Sequence, residues 1–207
     1  MGVNQRRGVL PVKKKGVPLA TQVCRQTDSF IIANRPFPLE RSMSTFDTLF
    51  KQGKDIETFI STGTPEQIAD LRRWQTLLGS QTEAVENALA PARQAEGRFR
   101  LLVAAEMWCP DCHRNIPPLA LLCQRLPNVE MAIITRDEAQ PFTELLDVEK
   151  VKIPFVVVLD ANSTPLGAFI ERPASVVNGG EAQLEAYRRG DLLAETIGDI
   201  TAIIAGL

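Results

Sequence analysis

The chain has 207 residues, 44% of them apolar and 23% charged, with 23 basic and 25 acidic side chains for a net charge of −2. That is the composition of a folded globular protein. The near-neutral total gives no sign of a nucleic-acid partner, and no apolar run reaches the ~18 residues of a membrane span.

The charge is unevenly spread. Residues 1–42 hold eight Lys or Arg and only Asp28 and Glu40, leaving 15 basic and 23 acidic residues for the rest. This basic head is punctuated by Gly and Pro ("VLPVKKKGVP", "NRPFPLERS") and has no helical or strand period, so it reads as a disordered tail. A basic, acid-poor start also fits an organelle transit peptide, and Met43 at the head of the first regular segment fits an upstream extension.

Residues 43–97 read as a helical extension. In "STFDTLFKQGKDIETFIST", Phe46, Leu49, Phe50, Ile56, Phe59 and Ile60 fall near one face, interrupted by Gly53. "TPEQIADLRRWQTLLG" opens with Thr64 as N-cap and Pro65 at the first helical position, and Gly79 is a stop. Residues 81–95 make a third, weaker helix.

The pattern changes at residue 98. "RFRLLVAAEMW", "VEMAIIT" and "FVVVLD" are runs of strand length, and "PLGAFIE" follows the last across a turn-like "ANST". Helical patterns lie between the first two runs and between the second and third. The layout is α/β, a central mixed sheet flanked by helices over 98–180. Residues 181–207 form a C-terminal helical segment packed on that core. Its helix from 191 carries Leu193, Ile197, Ile200 and Ile204 on one face.

Four cysteines without a signal peptide do not make a disulfide framework, which points to a reducing compartment, the cytoplasm. "MWCPDCHRNIPPL" then carries the chemistry: Cys109 and Cys112, separated by two residues, where a buried strand gives way to a helix. A helix N-terminus favours negative charge, and a thiolate is the reactive form of cysteine. One turn brings Cys112 back beside Cys109, a geometry for thiol–disulfide exchange. Two other chemistries use the same spacing. His113 completes the C-x-x-C-H of haem attachment, but the export that chemistry needs has no signal here. Zinc requires four ligands, for which Cys109, Cys112 and His113 with Cys123 or Cys24 are the candidates. A redox-inert binding protein is a third alternative.

"WCPDC" after an apolar strand resembles the active site of thioredoxin-fold proteins. So do Pro117, five residues after Cys112, and Ile153–Pro154, which lies where that family has an Ile–cis-Pro opposite its cysteines. With "ITRDE", "IPFVVVLD" and "ERP", residues 44–175 resemble a bacterial branch with an N-terminal helical extension. The resemblance implies a disulfide reductase. Cys109 is its nucleophile and Cys112 its resolving thiol, while Trp108, Ile153 and Pro154 line the substrate surface. It implies no bound cofactor. Substrates would be protein or small-molecule disulfides, and electrons would come from a reductase or a low-molecular-weight thiol. Three positions depart from the family. Pro110-Asp111 replaces Gly-Pro, Val103 replaces a buried Asp, and Phe155 replaces Thr.

Three further residues are candidates for tuning. His113, four residues after Cys109, is placed to face the sulfur as an imidazolium or to sit solvated on the first turn. Asp111 either opposes a second negative charge or is an exposed loop carboxylate. Glu106 is a candidate buried base. Cys123 reads as a core residue.

Overall fold

A computed structural model describes residues 39–207 of the chain. The rest of the basic head, with Cys24 and the question of its disorder, lies outside the described residues. Helix α1 spans Leu39–Gln52, so regular structure begins four residues inside the segment read as a tail. Phe46 and Leu49 bury its apolar face.

The break at Gly53 has a steric cause. The chain crosses the sheet edge there, and a Cβ on Gly53 would come within 2.8 Å of the Ala132 side chain. Lys54 N–H then donates to Ile133 O (2.7 Å) and Ile133 N–H to Lys54 O (2.8 Å). Helix α2, Ile56–Ile60, restarts after Asp55, whose carboxylate accepts from Thr58 N–H at 2.8 Å. Helix α3, Pro65–Gly79, opens with a reciprocal capping box between Thr64 and Gln67 and buries Leu71, Trp74 and Leu78. Helix α4, Thr82–Leu89, runs into a short 3₁₀ turn, Ala90–Gln94.

The sheet has four strands, β1 (Phe99–Ala104), β2 (Val129–Ile134), β3 (Phe155–Leu159) and β4 (Pro165–Ile170), in the order β2-β1-β3-β4. β1 pairs in parallel with β2 and antiparallel with β3, and β3 pairs antiparallel with β4. Helix α5, Pro110–Arg125, makes the crossover from β1 to β2, and α6, Phe142–Leu145, lies between β2 and β3. The hairpin turn is held by Asp160, whose Oδ1 accepts from the N–H groups of Asn162 and Thr164, both at 2.8 Å.

After β4 come α7 (Ala174–Val177), α8 (Glu181–Arg189) and α9 (Leu193–Ala205). α9 buries Leu193, Ile197, Ile200 and Ile204, the stripe read from the sequence. α8 was not separately legible, because only Tyr187 on it is buried.

Both faces of the sheet are covered, which explains why every residue of β3 is buried. On one face α1 and α6 meet β3 through rings, Phe46 to Phe142 at 5.9 Å and Phe142 to Phe155 at 5.3 Å. On the other, α9 packs on α5 and closes over β4, where Ile203 fills the space above Gly167. α3 packs on α5 from outside the sheet. Among the described residues no helix is long and apolar enough to cross a membrane.

Candidate active site

β1 delivers the chain to the end of the sheet, and Cys109 becomes the N-cap of α5 with extended backbone (φ −91°, ψ 116°). Pro110 occupies the first helical position, where no N–H is needed. The Cys109 sulfur accepts from Cys112 N–H at 3.4 Å, and its thiol faces Ile153 O at 3.5 Å. The Ile153–Pro154 peptide is cis. Both thiols are buried, Cys112 completely, while Trp108 beside them is 58% exposed.

The two thiols differ in acidity. Cys109 is lowered, first by the hydrogen bond from the Cys112 thiol and then, against burial, by the N–H groups of Cys112 and Asp111. The Asp111 carboxylate works in the opposite direction. Cys112 is raised well above an ordinary thiol by burial and by Cys109. Cys123, further along α5 and packed against the core, is pushed up to about 12 by desolvation. The two sulfurs of the turn thus move in opposite directions, Cys109 the more acidic and Cys112 the less.

All three tuning candidates are held by hydrogen bonds to other parts of the fold. His113 is neither solvated nor turned to the sulfur: its ring is buried, with Nδ1 2.8 Å from Asp70 Oδ2 and Nε2 2.6 Å from Met107 O. Met107 O can only accept, so Nε2 carries a hydrogen. The ring therefore ties the loop before Cys109 to α3. Asp70 also accepts from Arg73 and Trp74. Burial alone would raise its carboxyl, but these bonds outweigh burial and hold it below its usual value.

Asp111 is not an exposed loop carboxylate. Its side chain is 17% accessible, and its Oδ2 accepts from Arg172 Nε (3.2 Å) and Nη2 (3.0 Å). Tyr187 donates to Oδ1 at 3.0 Å. Glu106 is half-buried, and its carboxylate accepts from Arg136 N–H at 2.9 Å. Arg136 in turn donates to Val151 O at 3.1 Å. Glu106 thus braces the loops after β1 and β2 against the segment before Pro154. Val103, where the family's buried acid would sit, is fully buried and apolar.

Sequence reading missed a polar cluster behind the cysteines. Asn115 is fully buried and donates to Asp111 O, Glu171 O and Tyr187 Oη, and it accepts from Thr196 Oγ1 at 2.6 Å. Arg114 lies over the rings of Trp74 and Tyr187. The available signal was Asn115 itself, a poor helix former inside an apolar helical stretch.

The His113 geometry yields an expected outcome. His113→Ala should lose about 1–3 kcal/mol of stability in urea unfolding, because it strips a donor from the buried Met107 carbonyl and a partner from Asp70. The pH profile of Cys109 alkylation should keep its midpoint. A shifted midpoint would return His113 to the thiolate.

The sequence matches the family model described as thioredoxin over residues 53–183. Among curated proteins none matches. Two solved structures are similar to it. One is an HIV epitope scaffold, 38% identical with a TM-score of 0.72 over 78% of this chain and 98% of that one. The other is a protein of unknown function from Pseudomonas aeruginosa, 39% identical with a TM-score of 0.70 over 76% of this chain and 95% of that one.

Proposed function

Because the chain belongs to the thioredoxin family, we propose that it is a thiol–disulfide oxidoreductase that reduces protein or small-molecule disulfides. The observation that carries this reading is the Cys109 sulfur at the start of α5, which receives the Cys112 N–H and faces the Ile153 carbonyl.

Cys109 attacks as the thiolate. One substrate sulfur bonds to Cys109, and the other leaves with the substrate electron pair and takes a proton from solvent. Cys112 then gives up its proton and attacks the Cys109 sulfur. The Cys109–Cys112 disulfide forms, and the second substrate sulfur leaves and is protonated. The dithiol loses two electrons, the substrate disulfide gains them, and two thiols are released. A separate reductase or a low-molecular-weight thiol restores the dithiol in a reducing compartment such as the cytoplasm. No bound cofactor is needed for these steps. Trp108, Ile153 and Pro154 supply the surface on which the substrate lies.

A zinc-stabilised module is the less supported alternative. Both ring nitrogens of His113 are engaged. Among the described residues no three His, Cys, Asp or Glu side chains group as a metal-ligand set.

The direct test is turnover. With dithiothreitol supplied, the protein should reduce insulin well above the uncatalysed rate. A rate equal to dithiothreitol alone, on folded protein with both thiols titratable, would remove the enzymatic reading in favour of a passive binding protein.

A further inference from the structure

The segment Glu171-Arg172, directly after β4, touches both walls of the cysteine site. Glu171 stands at φ +66°, and its N–H donates to Pro154 O at 2.8 Å. Its carbonyl accepts from Asn115. Lys152, beside the cis peptide, lies 4.0 Å from the Glu171 carboxylate, and Arg172 lies 3.8 Å from it. The Arg172 guanidinium turns to the cysteine turn and places two N–H groups on Asp111 Oδ2.

Asp111 acts on Cys109 in two opposed ways. Its backbone N–H favours the sulfur anion, while its carboxylate disfavours it. The backbone contribution is built into the turn, so the carboxylate is the part that its surroundings can offset. Arg172 is the closest cation to it among the described residues; Arg114 is 4.0 Å from its other oxygen, and Tyr187 is neutral. Arg114 is occupied with Pro110 O at 3.0 Å and with the rings of Trp74 and Tyr187.

We infer that Arg172 is a positioning residue for the thiol chemistry, pairing the Asp111 carboxylate so that a negative charge inside the cysteine turn does not oppose the Cys109 thiolate. Arg172 lies 60 residues after Cys112 in the chain and outside the cysteine motif. The inference rests on the thiol–disulfide reading above, but its test does not depend on turnover.

The experiment is the pH profile of Cys109 alkylation, followed peptide by peptide, in wild type, Arg172→Gln, Arg172→Lys, Asp111→Asn and the Arg172→Gln/Asp111→Asn double variant. Arg172→Gln should move the midpoint up and slow alkylation about three- to tenfold at pH 6.5, the effect of an unscreened like charge. Arg172→Lys should recover part of the loss. Asp111→Asn should speed alkylation, and in that background Arg172→Gln should have little further effect.

A folded Arg172→Gln whose profile superimposes on wild type would overturn the inference. So would an equal slowing with and without Asp111, because Arg172 would then act directly on the sulfur. If Arg172→Gln fails to fold, an unchanged profile in Asp111→Asn overturns it instead. Loss of insulin reduction in wild type would refute the enzymatic function and leave these profiles interpretable.

Discussion

Cys109→Ser is expected to abolish disulfide reduction, whereas Cys112→Ser is expected to leave the protein covalently joined to its substrate. The difference follows from the two sulfur environments. Cys109 is lowered by the Cys112 thiol and two backbone N–H groups, so of the two sulfurs it is the more readily ionised. A serine hydroxyl there keeps the hydrogen bonds but loses the nucleophile, and the rate should fall by a factor on the order of 10³ or more. Cys112 is fully buried and held protonated. Its work begins only when a mixed disulfide presents the Cys109 sulfur. With serine in its place attack proceeds and resolution does not, so the mixed disulfide should accumulate and run as a larger species on a non-reducing gel. Full activity in both serine variants would refute the assigned roles. Accumulation in Cys109→Ser instead would reverse them.

The largest loss of stability is expected from Asn115. Its amide holds the Asp111 and Glu171 carbonyls and the Tyr187 hydroxyl, and it receives Thr196. Asn115→Leu keeps the volume but leaves polar partners stranded in the interior, each costing about 1–3 kcal/mol. Some will find other partners, so the net loss should be about 2–4 kcal/mol. Urea unfolding would measure it. Thr196→Val removes the other end of one bond and should cost less. The double variant should lose less than the sum of the two, since the hydroxyl and its acceptor disappear together. Strict additivity would mean that Asn115 and Thr196 do not share the bond.

The legible and illegible parts of this protein divide by range. The strands and α3 were readable because their signals are local: short apolar runs for β1 to β3, and Thr64 and Pro65 at the start of α3. Cys109 and Cys112 were readable because four consecutive residues carry their geometry. His113 was misread for the opposite reason. Its spacing from Cys109 admits a ring turned to the sulfur, but Asp70, 43 residues earlier, and the Met107 carbonyl decide where the ring points. For Asp111 the exposed-carboxylate reading fails in the same way, since Arg172 and Tyr187 reach it from 61 and 76 residues away. Hydrogen bonds of that span leave no periodicity along the chain.

The crossing at Gly53 and Lys54 also bears on the exposed edge of the sheet. β2 is an outermost strand, and an outermost strand with bare amides and carbonyls is a template on which another polypeptide can add. Lys54 occupies the outward N–H and C=O of Ile133, in the middle of the apolar stretch Ala132–Ile134. Glycine is what lets the chain lie close enough to do so, with no room for a side chain above Ala132. A single pair of hydrogen bonds thereby takes the Ile133 amide and carbonyl out of reach of an added strand.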